Sequence, residues 1–339
     1  MAPFLYENHN GPASPLPPVP EWGSLPLDIY MLEEWDTPHP DSANETPDQR
    51  RRRLVRQFLE LGTPGRFADH QPYYERTYSE SENFAPLHPT PSQIETILRP
   101  LRPELLRRFA VMPNGSPNEG LWLRTCYDKE FKEAHQSVWH SYVKEYDAID
   151  VDSLVLDDAE LFRGPWTAML EILPERVTNS RVDNGDGGFK ARVLNELREC
   201  DGRDDDSEEK RKSLRELFAE LGRHEFMHDM CRRYLRYHKA CIDTYILIED
   251  RQTQAGEGLF LVYLDDKGNV VRQLRHEPDE IDNFTAAWHG CFFDENPAFR
   301  DLADVGPTYL PGGTRGPPYG QGPGPYWLQL IDEGEGQRT

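Results

Sequence analysis

Three short apolar runs near the C-terminal third decide the fold class. Tyr245–Ile248, Leu259–Leu264 and Val270–Leu274 are each too short for a stable helix and are rich in β-branched and aromatic residues. Asp265-Asp266-Lys267-Gly268-Asn269, between the last two, is a hairpin-turn sequence. These runs predict a small antiparallel β-meander over residues 245–275. Most of the remaining periodic sequence has a helical repeat. The predicted class is therefore α+β: a mainly helical body with a small antiparallel β-meander in its C-terminal half.

Residues 47–62 predict a helix ending at Gly62, with Leu54, Phe58 and Leu61 on one face. Thr90-Pro91 is a start signal, with threonine as N-cap and proline in the first turn. Pro103-Glu104 starts another helix through Val111. Leu121–Tyr127 looks like an additional strand. Helices are expected over 129–147, 157–172, 189–200 and 279–293, and the longest over about 207–243.

The ends differ in composition. Proline (29 residues) and glycine (25 residues) concentrate there, and proline removes backbone donors and resists helix. Residues 1–30 read as an extended arm, and PLPPVP within them suits either a polyproline-binding partner or a strap on the domain surface. The expected organisation is a Pro-rich arm over 1–46, partly disordered, one mixed α+β domain over 47–310, and a flexible Gly/Pro-rich tail over 311–339. Two lobes could meet near the acidic loop at 201–209.

The chain carries 38 basic and 60 acidic residues, a net charge of −22. A field of that sign repels nucleic acid and anionic membranes, so neither is expected as a partner. Against it stands the Arg50–Arg53 run, which reads either as an anion patch or localisation signal or as arginines paired with nearby carboxylates. The five cysteines are odd in number and form no C-x-x-C pair. Reduced thiols in a cytoplasmic setting fit them, nuclear not excluded. No secretory signal or membrane span is read.

One string approaches a catalytic motif. His224-Glu225-Phe226-Met227-His228 matches H-E-x-x-H, which on a helix places two imidazoles one turn apart for zinc, with the intervening glutamate as general base. Cys231, three residues on, is a candidate third ligand. His238 lies about 15 Å farther along a straight helix than His228, too far to share the ion. Charged Arg223 and Asp229 flank the string, and no G-x-x-H follows it. Asp183-Asn184-Gly185-Asp186-Gly187-Gly188 fails as a calcium loop, because its third and twelfth positions are Gly185 and Leu194. No nucleophile elbow, P-loop or dinucleotide fingerprint is present.

Two functions follow. In the first, the chain is a non-catalytic protein-interaction module without a cofactor, working through its surface and arms on a protein partner. In the alternative it is a zinc-dependent metallohydrolase, with Glu225 catalytic and His224, His228 and Cys231 on the metal.

Overall fold

The computed structural model describes residues 19–40, 45–63, 65–66, 88–110, 121–145, 155–177, 241–280 and 304–310, with shorter pieces at 208–209, 211–213, 215–220, 222, 237–238 and 313–315. Seven α-helices are delimited among them: α1 (Pro26–Glu34), α2 (Pro47–Glu60), α3 (Pro91–Gln93), α4 (Lys132–Trp139), α5 (Ala159–Phe162), α6 (Ala168–Ile172) and α7 (Arg251–Gln254). Five strands accompany them: β1 (Leu121–Arg124), β2 (Val155–Leu156), β3 (Thr244–Glu249), β4 (Leu259–Leu264) and β5 (Val270–His276). The class is α+β. Among the described residues no helix is long and apolar enough to cross a membrane.

The sheet departs from the expected meander. Its strand order is β2-β1-β3-β4-β5. β3 and β4 pair antiparallel, with Ile246 opposite Val262. β1, however, pairs parallel with both β2 and β3, in register Trp122↔Val155 and Trp122↔Leu247. The sheet is therefore mixed. A parallel neighbour needs a long crossover, so it arrives from more than a hundred residues away and leaves no mark beside the three C-terminal runs. Every residue of β3 is buried, the signature of a strand covered on both faces rather than an edge of a hairpin.

The chain divides into two compact units. The first contains residues 1–182, 243–268 and 276–278, and the second 183–242, 269–275 and 279–339. In the first unit, Leu27 and Met31 of α1 pack with Leu54, Val55 and Phe58 of α2 and with Ile97 and Leu98, which follow α3 in a wider π-type turn. Each such side chain contributes about 1.5–3 kcal/mol on full burial. Leu61, expected on this face, is 37% exposed, because it lies at the C-cap beyond the last full turn; Val55 takes its place. Both α2 and α3 begin with a capping box, Thr46 with Gln49 and Thr90 with Gln93. Under the sheet, Trp122 meets Trp139 edge-on with ring centroids 5.4 Å apart. The Tyr142 hydroxyl donates to the His276 carbonyl at 2.6 Å and accepts from the Leu259 amide at 2.9 Å.

Two local expectations change. Pro26 opens α1 within the segment read as extended, since proline is compatible with the first turn of a helix. The helix expected over 157–172 is split into α5 and α6, because Gly164 and Pro165 interrupt it. Of the long helix expected over 207–243, residues 208–209, 211–213, 215–220, 222, 237–238 and 241 are helical among the described residues, and residues 242–243 are not.

In the second unit, β5 carries Arg272, which forms an isolated antiparallel bridge with Val305. The Arg272 Nε donates to Nδ1 of His238 at 3.3 Å, and the Tyr309 ring stands edge-on to that imidazole at 5.8 Å. All three side chains are buried.

Candidate functional site at the carboxyl ends of the parallel strands

Among the described residues of the first unit, two of the clusters of buried charge differ in how completely they are satisfied. One joins Asp28, Arg102, Arg107 and Glu175, each at 2% exposure or less. Arg107 grips both Asp28 oxygens at 2.9 and 2.6 Å, donates to the Glu21 carbonyl at 2.9 Å, and lies 3.8 Å from the Trp22 ring centroid. Arg102 grips both Glu175 oxygens at 2.9 and 2.8 Å. Burial alone works against the Arg102 cation, but the Glu175 and Asp28 carboxylates outweigh it and raise its pKa. Every charge here has an opposite partner, so the cluster holds residues 20–28 onto the body.

The other cluster sits where the parallel strands end. β1, β2 and β3 run the same way, so Arg124, Asp157 and Glu249 emerge along one edge; Arg124 is directly opposite Glu249 in the register. The chain leaves β1 toward β2 on one side, while β3 lies on the other. Such a reversal of strand order is where parallel sheets bind ligands, because the connections diverge there.

Glu249 is fully buried. Nδ1 of His135, from α4, lies 2.7 and 2.9 Å from its two carboxylate oxygens. Gln254 Nε2, from α7, donates to Glu249 Oε1 at 2.6 Å and to the Cys126 carbonyl at 3.2 Å. Glu249 thus pins two helices to the end of β3, and the Thr125 amide extends the β1–β3 ladder to the Glu249 carbonyl at 2.9 Å.

Arg124 is bonded less completely. Its Nε donates to the Cys126 carbonyl at 2.9 Å, and its plane lies 4.7 Å from the Tyr127 ring centroid. Its carboxylate neighbours are at ion-pair distance only, Asp157 at 3.6 Å and Glu249 at 4.0 Å. Both are too long for hydrogen bonds. Among the described residues the outer nitrogens of Arg124 make no hydrogen bond, although the side chain is only 13% exposed. Arg163 lies 6.0 Å from the same Tyr127 ring. The Tyr127 hydroxyl donates to the Arg124 carbonyl at 2.9 Å. Burial, then the Asp157 carboxylate, pushes its pKa far up, so it stays a neutral donor. The arrangement is a half-buried guanidinium fixed at its inner end with its fork unfilled, which suits a bidentate oxyanion.

No protein family, curated protein or solved structure matches this chain.

The residues singled out from sequence are elsewhere. His224, Glu225, His228 and Cys231 lie outside the described residues. Among the described residues no group of three or more His, Cys, Asp or Glu is gathered to hold a metal ion. The DNGDGG string and the helix expected over 189–200 also lie outside them, and of the 279–293 helix only the start is described. His238 is described, with its imidazole taken up by Arg272 and Tyr309. Neither Cys126 nor Cys241 is disulfide-bonded.

The Arg50–Arg53 run is paired within the chain. Arg50 donates to the Trp35 carbonyl at 2.9 Å, Arg51 to the Thr96 carbonyl at 2.7 Å and to Asp48, and Arg53 to both oxygens of Glu45 at 2.9 and 3.0 Å. The Arg53 hydrogen bonds are the main reason the Glu45 carboxyl is held below its usual range. Arg52 reaches Glu171 only at 3.7 Å.

Sequence reasoning passed over Arg124 and Glu249. Their one signal was shared: each is the charged residue closing an otherwise apolar strand, LWLR and TYILIE. That the two strands are partners was not visible from either.

Proposed function

We propose that this chain is a non-catalytic protein-interaction module, and that Arg124 grips a carboxylate of its protein partner. The unfilled guanidinium fork of Arg124 at the strand-order reversal supports this reading. An arriving carboxylate gains the two parallel hydrogen bonds that Asp157 and Glu249 are too distant to make. It does so in a half-buried place, where an ion pair is screened less than at the surface. Little side-chain entropy is lost, because Nε and the Tyr127 face already hold the guanidinium in one orientation.

The test is ligand-observed NMR with a blocked tripeptide carrying one aspartate between alanines, against its asparagine analogue. The aspartate peptide binds in the millimolar range, the asparagine peptide binds at least fivefold more weakly, and Arg124→Lys, which keeps charge but loses the fork, weakens the aspartate peptide at least fivefold. Equal binding of the two peptides, or an unchanged affinity in Arg124→Lys, overturns the proposal.

A further inference from the structure

A second surface, on the outward face of α2, carries its own geometry for carboxylates. Gln49, Arg53 and Gln57 form one ridge along the helix at four-residue spacing, and Arg52, Arg56 and Glu60 form the next. An open groove of about 400 Å³ runs along these six residues. Arg52 and Arg56 stand in solvent, 66% and 71% exposed. Among the described residues one carboxylate, Glu171 on α6, lies between them, 3.7 Å from Arg52 and 3.6 Å from Arg56. Neither contact is a hydrogen bond. Two cations therefore share one distant, 41%-exposed carboxylate. Arg53 is satisfied by Glu45 and by Gln57, and Glu60 lies at ion-pair distance from Lys267, 3.6 Å, so the only cations of the groove left to share a single carboxylate among the described residues are Arg52 and Arg56.

We infer that this groove docks an extended acidic segment of a protein partner, with two carboxylates two residues apart on Arg52 and Arg56. The inference rests on the interaction-module reading above and names the chemistry of the partner. The spacing carries it. Residues four apart on a helix are about 6 Å apart along its axis, and residues two apart on an extended strand are about 6.6 Å apart on one face. Acidic-x-acidic in an extended segment therefore matches the arginine pair, whereas adjacent acidic residues point to opposite sides. The groove spans α2 from Gln49 to Glu60, about 16 Å, or roughly five extended residues. Glu171 occupies the position the first incoming carboxylate takes, as an internal stand-in that the segment displaces. The chain's net charge of −22 does not forbid this, because at physiological salt charges more than about 8 Å away are largely screened.

The experiment is fluorescence anisotropy of a labelled Ser-Glu-Thr-Glu-Thr-Ser peptide on the full chain. Four results are expected. The Gln-Thr-Gln analogue binds at least tenfold more weakly, and an isomer with the two glutamates adjacent binds about threefold more weakly. Arg52→Gln with Arg56→Gln weakens the parent peptide at least fivefold. Glu171→Gln, which removes the stand-in, tightens it two- to fivefold. Arg52 and Arg56 are exposed, so their glutamine variants keep the fold, and a circular dichroism melt verifies it. An unchanged affinity in the double variant, or equal binding of the adjacent-glutamate isomer, overturns the inference. Arg124→Lys separates the two surfaces: if it alone abolishes binding of this peptide, the groove is not the site, while the Arg124 proposal stands on its own titration.

Discussion

Arg102 and Glu175 meet fork to fork, with both pairs of atoms at 2.8–2.9 Å and both side chains 1% exposed. The pair joins the segment after α3 to the 3₁₀ turn Pro174–Val177 that follows α6. Removing one partner leaves the other charge buried and unpaired, which costs about 3–5 kcal/mol. Arg102→Met is therefore expected to destabilise by that amount in urea denaturation. Arg102→Met with Glu175→Leu should recover at least half of it, because the double variant strands neither of these two charges. A loss below about 1 kcal/mol in the single variant would show that the pair is not holding this region.

Gly62 and Asp266 are in contact across 204 positions of sequence. Gly62 has φ +66°, and a Cβ there would come 2.6 Å from Asp266 Oδ2, the atom that accepts from the Thr63 amide at 2.9 Å. Gly62→Ala combines an unfavourable backbone conformation with a steric conflict, and about 2–3 kcal/mol of destabilisation is expected. Gly256 has φ +89° with nothing within 4 Å of its Cβ position, so Gly256→Ala should cost about 1 kcal/mol. Thermal melts of the two variants side by side check this ordering.

His238 makes the second unit sensitive to acid. Burial first, then the adjacent Arg272 cation, lower its pKa to about 3, against an ordinary value of about 6.5. Between these values the unfolded chain binds a proton that the folded one refuses. The stability is thus fully present above about pH 6.5 and lost as pH falls toward about 3, with a slope of about 1.4 kcal/mol per pH unit. His238→Gln should remove that slope. The measurement is the difference between wild type and variant in unfolding free energy from pH 7 to pH 4, since titrating carboxylates affect both alike. Parallel pH curves would refute it.

Thr46 caps α2 through its hydroxyl, which accepts from the Gln49 amide at 3.3 Å, while the Gln49 side chain accepts from the Thr46 amide at 2.9 Å. Thr46→Ala is expected to cost about 1 kcal/mol, and Thr46→Ser almost nothing. Equal losses in the two variants would place the effect in the threonine methyl group instead of the cap.

Where the physics is local, sequence and structure agree closely. The N-cap at Thr90, β3, β4 and β5, and the turn between β4 and β5 all follow from residues within a few positions of each other. The errors share a different cause. α1 was hidden by reading proline only as a breaker, and the split between α5 and α6 by following apolar period past Gly164-Pro165. The parallel pairing of β1 with β3 joins Leu121 to Ile246, a contact no local pattern encodes.

The candidate sites divide in the same way. That Arg52 and Arg56 share a helix face is a matter of period, and the sequence by itself determined it, together with the α+β class and the acidic balance. Tertiary structure alone decided which arginines are spent and which are not. Arg51 and Arg56 differ by five positions in one helix, yet Arg51 is buried against the Thr96 carbonyl while Arg56 stands in solvent. Arg124 and Glu249 became neighbours only when two distant strands paired in parallel. The reason is physical: secondary structure responds to neighbours along the chain, whereas the partners that satisfy a charge come from packing, which brings together residues that sequence separation keeps apart.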